Sequence, residues 1–315
     1  MKYAWYISIV EFHAKTIVQG IIVKGNLKGR NQNSSNIVLH LFTVIESYFK
    51  TTEKNSKFEF YLNGDIYLIQ TNKHGSFNIE INKIFKKKPD IEIKQLGKTI
   101  ECDYESLGYF PYRNSPFDII SDIDDTIYVS NTASFFKRIK TLTFIPSSKR
   151  KMIDFTQKLF SIINMGNPNI YFVSKSEFNL APIILQILQL NKVPNGTLFL
   201  TPFLNFNQLI TTKKDSNFKI ETITSIMNQS NPNKRYILFG DDTQRDMEVY
   251  ERIARSFKNR IARIYIHQTK MNVRKRKLNL WNKLKTTFPN SVYFNKNTDI
   301  EKELELLNEL ISIKN

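Results

Sequence analysis

Cysteine is almost missing from this chain of 315 residues: Cys102 stands alone, so no disulfide can form within it, and its scarcity fits a reducing compartment. Histidine is nearly as rare. Four scattered histidines offer no zinc constellation, and each is read as structural. Long apolar runs are lacking too. No stretch reaches the roughly eighteen uncharged residues that a spanning helix needs, so membrane contact is expected to be peripheral. The apolar part of Met1 to Phe12 is short, Glu11 follows closely, and no small-residue cleavage pattern ends it, so a strand is expected there rather than a leader. Acidic residues are in deficit as well, 29 against 46 Lys and Arg, for a formal net charge of +17. The basic residues cluster at Lys86-Lys87-Lys88, Lys137-Arg138-Ile139-Lys140, Lys149-Arg150-Lys151 and Arg274-Lys275-Arg276-Lys277. Such runs bind anionic lipid surfaces or nucleic acid, or serve only as solvated surface in a chain rich in Lys, Asn, Ile and Phe. Phe135 and Phe136, beside Lys137 and Arg138, are either an interface anchor or a buried pair.

The scarce carboxylates are not spread evenly. Phe117-Asp118-Ile119-Ile120-Ser121-Asp122-Ile123-Asp124-Asp125-Thr126 is a short apolar run that ends abruptly in acid. Crowded like charges at a strand's end raise one another's pKa and destabilise a fold unless a cation or a tuned proton relieves them, and a divalent metal is the simplest relief. On an extended or tightly turning loop, Asp122 and Asp124 point one way and Asp125 another, which makes the first two the working pair. A chance acidic turn and a calcium loop are the blander readings. Two further runs end alike: Asn169 to Ser174 stops at a hydroxyl, with Ser176 available to cap a following helix, and Lys234 to Phe239 stops at Gly240-Asp241-Asp242, with Asp246 just beyond. Between them, Asp215-Ser216-Asn217-Phe218-Lys219 reads as a capped helix start with Lys219 in the first turns, where the helix dipole does not favour a cation. Four rule-breaking elements at the same relative place are what an active site at the carboxyl ends of parallel strands requires.

That order, Asp-x-Asp-x-Thr, Ser, Lys, Gly-Asp-Asp-x-x-x-Asp, resembles the haloacid dehalogenase superfamily of phosphohydrolases. More narrowly, Ser121-Asp122-Ile123-Asp124-Asp125-Thr126-Ile127, Tyr171-Phe172-Val173-Ser174-Lys175-Ser176 and Ile237-Leu238-Phe239-Gly240-Asp241-Asp242 resemble the actin-patch-associated phosphatidate phosphatase catalytic-domain family, over roughly residues 112 to 268. The chain departs from that pattern at Phe218-Lys219, where relatives tend to carry His-Lys, at Asp242, where serine is common, and at Glu177 and Met247, where proline is frequent. Ser176-Glu177-Phe178 stands for the relatives' Ser-Pro-Trp, a change that bears on substrate more than on chemistry.

The resemblance implies a magnesium-dependent phosphomonoester hydrolase working through an aspartyl phosphate, with phosphatidate the substrate and diacylglycerol the product. Asp122 is the expected nucleophile and Asp124 the acid and base, protonating the leaving alkoxide and later activating water. Magnesium suits an all-oxygen site, with Asp122 and Asp241 as side-chain ligands, the Asp124 backbone carbonyl as a third, and Asp242 or Asp246 assisting through water. Ser174, Lys219 and backbone amides after Asp122, beginning with Ile123, are expected to hold the phosphoryl oxygens, while Thr126 orients the loop. Lys213 and Lys214 are substitutes for Lys219; Ser174 and Ser176 read alternatively as helix caps, and Asp246 as a helix-start residue. The rival functions are a phosphatase for nucleic-acid ends, a soluble small-molecule phosphatase, and a non-enzymatic partner- or lipid-binding module. The expected location is cytoplasmic, peripheral at the inner membrane surface and its anionic lipid.

A hydrophobic content of 41% in 315 residues is enough for two cores. Residues 1–111 read as β. Phe58 to Leu62, Asn63-Gly64 and Asp65 to Ile69 form a hairpin signature, and Thr16 to Lys24 and Ile91 to Cys102 are further alternating runs, so a small antiparallel β-sandwich accessory domain is expected. Residues 112–315 alternate strands with helical stretches at Lys149 to Asn164, Pro182 to Asn191, Glu221 to Met227 and Thr243 to Phe257, then strands at Ile261 to His267 and Ser291 to Phe294 and a helix at Asp299 to Ile313. That is an α/β, haloacid dehalogenase-like, mainly parallel Rossmannoid sheet with helices on both faces. The stretch between Asp122 and Ser174 is too short for a large cap domain, which leaves an open site for a bulky or interfacial substrate.

Overall fold

In a computed structural model of the chain, the residues described are 3–25, 49–100, 108–128, 152–202, 204 and 217–312. The stretches 135–140 and 149–151, Cys102, Lys213 and Lys214 lie outside them, so the basic runs there and the alternatives to Lys219 have no structural account.

Period-two alternation builds the first part. Its strands among the described residues are Tyr3–Glu11 (β1), Thr16–Lys24 (β2), Lys57–Leu62 (β3), Asp65–Gln70 (β4), Ser76–Ile81 (β5), Ile91–Gln95 (β6), Lys98–Thr99 (β7) and Gly108–Phe110 (β8). They form two four-stranded sheets, ordered β5-β2-β1-β8 and β4-β3-β6-β7. Every pairing is antiparallel except β1 with β8, which is parallel. The β3–β4 turn is the one its dipeptide requires: Asn63 and Gly64 both take positive φ, 47° and 88°, and the strands pair from Leu62↔Asp65. The inward residues of β3, Phe58, Phe60 and Leu62, are buried against Ile7, Val18, Ile22 and Phe77 of the other sheet, with the Phe60 and Phe77 rings 6.1 Å apart. The expected sandwich is therefore present, with one parallel pair.

The second part is a six-stranded parallel sheet. Its strands are Phe117–Ser121 (β9), Ile170–Glu177 (β10), Thr197–Thr201 (β11), Arg235–Asp241 (β12), Ile261–His267 (β13) and Ser291–Phe294 (β14), ordered β11-β10-β9-β12-β13-β14. The helices are Asp154–Met165 (α1), Ala181–Leu190 (α2), Phe218–Gln229 (α3), Asp246–Ser256 (α4), Lys275–Thr287 (α5) and Glu301–Ser312 (α6). Alternate residues of the central strands feed two cores. Ile119, Ile237 and Phe239 face α1, α2 and α6, whereas Ile120, Tyr236 and Leu238 face α3, α4 and α5. Burial on both faces is why these strands read as continuous apolar runs. The carboxyl-terminal stretch completes the layers: β14 extends the sheet and α6 packs beside α1.

One helix starts later than its sequence suggests. A helix is expected from Thr243, yet α4 begins at Asp246, because the amides of Thr243 and Gln244 donate to Oδ1 of Asp241 instead of joining it. Chain order reverses between β9 and β12: β10 and β11 lie on one side of β9, and β12 on the other. The crevice above the carboxyl ends of β9 and β12 is where open α/β sheets bind ligands.

Candidate active site

Asp122 follows β9 directly, and its amide donates to the carbonyl of Phe239 on β12 at 2.9 Å, so sheet pairing fixes its place. Asp241 ends β12, Asp246 opens α4, and Lys219 is the second residue of α3. These four buried side chains meet. Lys219 Nζ lies 3.0 Å from Asp122 Oδ1 and donates to Asp246 Oδ1 at 2.5 Å. Asp246 Oδ2 accepts the amide of Asp241 at 3.2 Å, which ties α4 to the end of β12. Gly240 permits that approach, since a Cβ there would stand 2.8 Å from the Cβ of Asp246 and 2.7 Å from the Tyr250 ring.

Burial sets the electrostatics. Desolvation pushes the carboxyl of Asp122 well above its ordinary range; Lys219 opposes this, and Asp246, Asp241 and Asp124 add to it. Asp241 is raised to about 7, again chiefly by desolvation, with Asp246 second. Burial alone would lower Lys219, but Asp122, Asp246 and Asp241 outweigh it and raise its pKa. Among the described residues, Lys219 is the cation in salt-bridge contact with these carboxylates, which outnumber it.

The donor set suits a hard cation. One oxygen from each of Asp122, Asp241 and Asp246 lies within 4.8 Å of the others, and Asp241 Oδ2 is buried without a hydrogen-bond partner. Both oxygens of Asp246 are engaged, by Lys219 and the Asp241 amide, and those of Asp122 face Lys219 and Gln244, so Asp241 Oδ2 is the freest oxygen of the three side chains. Of the two residues expected to assist the metal through water, Asp246 lies in the cluster and Asp242 is outside it. Its carboxylate accepts from Thr269 Oγ1 at 2.5 Å and Tyr293 OH at 2.6 Å, and pairs with Lys277 at 3.0 Å. Burial opposes its ionised form, but those three hydrogen bonds prevail and lower its pKa. Lys277, from the Arg274 to Lys277 run, is therefore spent on anchoring α5.

Asp124 is buried and held by two hydroxyls, Ser176 at 2.9 Å and Tyr128 at 3.1 Å. Ser176 caps no helix. It lies within β10, and the following short 3₁₀ turn and α2 have no side-chain cap. Ser174 reaches Asp124 indirectly, its hydroxyl donating to Ser176 Oγ at 3.0 Å. Asp125 takes φ 56°, a left-handed value that turns the loop, and His267 Nδ1 donates to its carbonyl at 2.6 Å, consistent with a structural histidine. Ile123 is buried in the core by its side chain. Thr126 is buried, and its carbonyl accepts from Thr156 of α1 at 2.9 Å. Sequence reasoning missed Tyr128, four residues beyond Asp124, and Gln244, whose Nε2 is 3.5 Å from Asp122 Oδ2. It also missed Lys175, whose pKa burial lowers, with Lys219 next. Polar residues so close to the motifs were the available signal.

Residues 117–268 match the sequence family described as phosphatidate phosphatase APP1, catalytic domain. That stretch is similar to the family's catalytic domain. The chain is 31% identical over 195 residues to phosphatidate phosphatase APP1 of Saccharomyces cerevisiae, an alignment covering 59% of this chain and 33% of that protein. It is 23% identical over 208 residues to an uncharacterised protein of Schizosaccharomyces pombe, covering 66% and 33%. The chain thus spans about a third of the length of these relatives. Among solved structures, a putative β-phosphoglucomutase from Thermotoga maritima aligns with 14% identity and a TM-score of 0.37, over 61% of this chain and 99% of that one. A cytosolic 5′-nucleotidase IIIB bound to cytidine aligns with 12% identity and a TM-score of 0.36, over 62% and 85%. The APP1 catalytic-domain match contains Asp122, Asp124, Ser174, Lys219, Asp241 and Asp246.

Proposed function

We propose that the chain is a magnesium-dependent phosphomonoester hydrolase that converts phosphatidate to diacylglycerol and phosphate. The meeting of Asp122, Lys219, Asp241 and Asp246 at the carboxyl ends of β9 and β12, inside the family match, carries this reading. A bound magnesium ion would neutralise charge on Asp122 and Asp241 and on the phosphoryl group facing them. Asp122 attacks phosphorus: its O–P bond forms, the ester P–O bond breaks, and Asp124 gives its proton to the departing alkoxide. Water then attacks the aspartyl phosphate, Asp124 takes the water's proton, and Asp122 is freed. Lys219, Ser174 and the amide of Ile123 hold the phosphoryl oxygens, and Thr126 braces the loop. Residues 112–315 would carry the chemistry as the catalytic domain, with residues 1–111 as the accessory domain. No helix among the described residues is long and apolar enough to cross a membrane. The proposed place of action is a cytoplasmic anionic lipid surface, reached through peripheral contacts of the basic runs.

The deciding assay measures phosphate release from phosphatidate in mixed micelles, from a soluble aryl phosphate and from a 3′-phosphorylated oligonucleotide, with magnesium and with chelator. Release from phosphatidate that needs magnesium is expected. Preference for the oligonucleotide or the aryl phosphate would overturn the substrate, and inactivity on all three would overturn the enzyme. Ser176→Ala removes one of the two hydroxyls that hold Asp124, so kcat is expected to fall about tenfold with KM little changed, the cost of one hydrogen bond in the transition state. An unaltered kcat would mean that Ser176 does not position Asp124.

A further inference from the structure

Between the sandwich and the parallel sheet lies a cavity of about 720 Å³, within the roughly 300–1,000 Å³ of small-molecule sites. Phe12 and Phe77 line it on the sandwich side, and Leu198 and Leu200 of β11, an edge strand, line it on the other. Helix α3 forms its long wall. Phe218, Glu221, Thr222, Ser225, Ile226 and Gln229 all line it, and their spacing of three and four residues is one continuous helical face.

Two connections tie the cavity to the phosphoryl site. Phe218 immediately precedes Lys219 on α3, and Leu200 pairs in register with Ser174 across β10 and β11. The cavity therefore lies one residue from Lys219 along α3 and one strand from Ser174, and it runs along a helix of twelve residues, about 18 Å at 1.5 Å each. That length is close to half of a bilayer's hydrocarbon core, about 15 Å, which one acyl chain spans. Most of its exposed lining surface is apolar and suits hydrocarbon, with Lys73, Glu177 and Glu221 as the charged residues among its polar lining. We propose that this cavity receives an acyl chain of the substrate, so that the sandwich, together with β11 and α3, selects long-chain phosphate esters. The proposal rests on the lipid phosphatase reading and adds the chain-binding site to it.

The test uses water-soluble phosphatidates with acyl chains of increasing length, beside the aryl phosphate. For the intact chain kcat/KM is expected to rise up to about fourfold per buried methylene and then level off. Thr222→Trp, from α3, and Asn78→Trp, from the sandwich, put indole into the cavity at positions that are not fully buried. In both, the dependence on chain length should flatten, with continued aryl phosphate hydrolysis reporting an intact site. An undiminished dependence in the variants overturns the proposal and leaves the lipid reading standing. Aryl phosphate hydrolysis without action on any phosphatidate overturns the lipid reading itself. Alkyl phosphonates give a check that needs no variant. As competitors of aryl phosphate hydrolysis by the intact chain, they should bind up to about fourfold more tightly per added methylene, and a flat series overturns the cavity as the chain site.

Discussion

Asp122→Asn should lower phosphate release by on the order of 10⁴-fold or more, since the proposed reaction forms its bond to phosphorus through the Asp122 carboxylate and an amide is no nucleophile there. The same substitution should raise the thermal stability of the metal-free protein at pH 8. A carboxyl whose folded pKa is raised binds its proton more tightly folded than unfolded, so stability falls as pH climbs from the unfolded value towards the folded one. Asp122 is raised well above its ordinary range, and Asp241 to about 7. Metal-free protein should therefore lose stability between roughly pH 4 and pH 7, and a neutral amide at 122 removes part of that loss. Melting at pH 5 and pH 8 with chelator, beside the phosphate assay, checks both effects. A variant that keeps its activity, or melts lower at pH 8 by as much as at pH 5, would contradict the assignment.

Local signals were legible in the chain and distant ones were not. The Asn63-Gly64 hairpin and the acid-ended strands at Ser121 and Asp241 are written in adjacent residues, and the structure has them where expected. Lys219 could not be told from its many fellow lysines, because its partners Asp122 and Asp246 lie 97 and 27 residues away and only folding brings them to it. Ser176 read as a cap because serine after an apolar run usually is one. Its hydroxyl goes instead to Asp124, 52 residues earlier. Asp242 shared the acidic run of Asp241, but alternate residues leave a strand in opposite directions, and Thr269, Tyr293 and Lys277 claim it. The parallel pairing of β8 with β1 and the cavity between sandwich and sheet also depend on long-range contacts that no window of sequence contains.

Lys219→Met should be the most destabilising single change at the site. It keeps the length and apolar stem of the side chain while removing a buried ammonium that touches both Asp122 and Asp246. Breaking a buried pair by removing one partner costs about 3–5 kcal/mol, because the remaining charge is left uncompensated. The pH dependence of that cost separates charge from packing. Lys219's own pKa is raised, so its contribution is complete at every pH below the unfolded lysine value and cannot vary between pH 5 and 8. Variation in that window must come from the carboxylates, which take up protons as pH falls and then need no counter-charge. The variant should accordingly unfold far more readily than the parent at pH 8 and approach it at pH 5, and added magnesium should restore part of the loss at pH 8 by supplying charge to Asp122 and Asp241. Chemical denaturation at the two pH values, with and without the metal, gives the comparison. An equal loss at both pH values would make Lys219 a packing residue whose nearness to Asp122 has no electrostatic purpose.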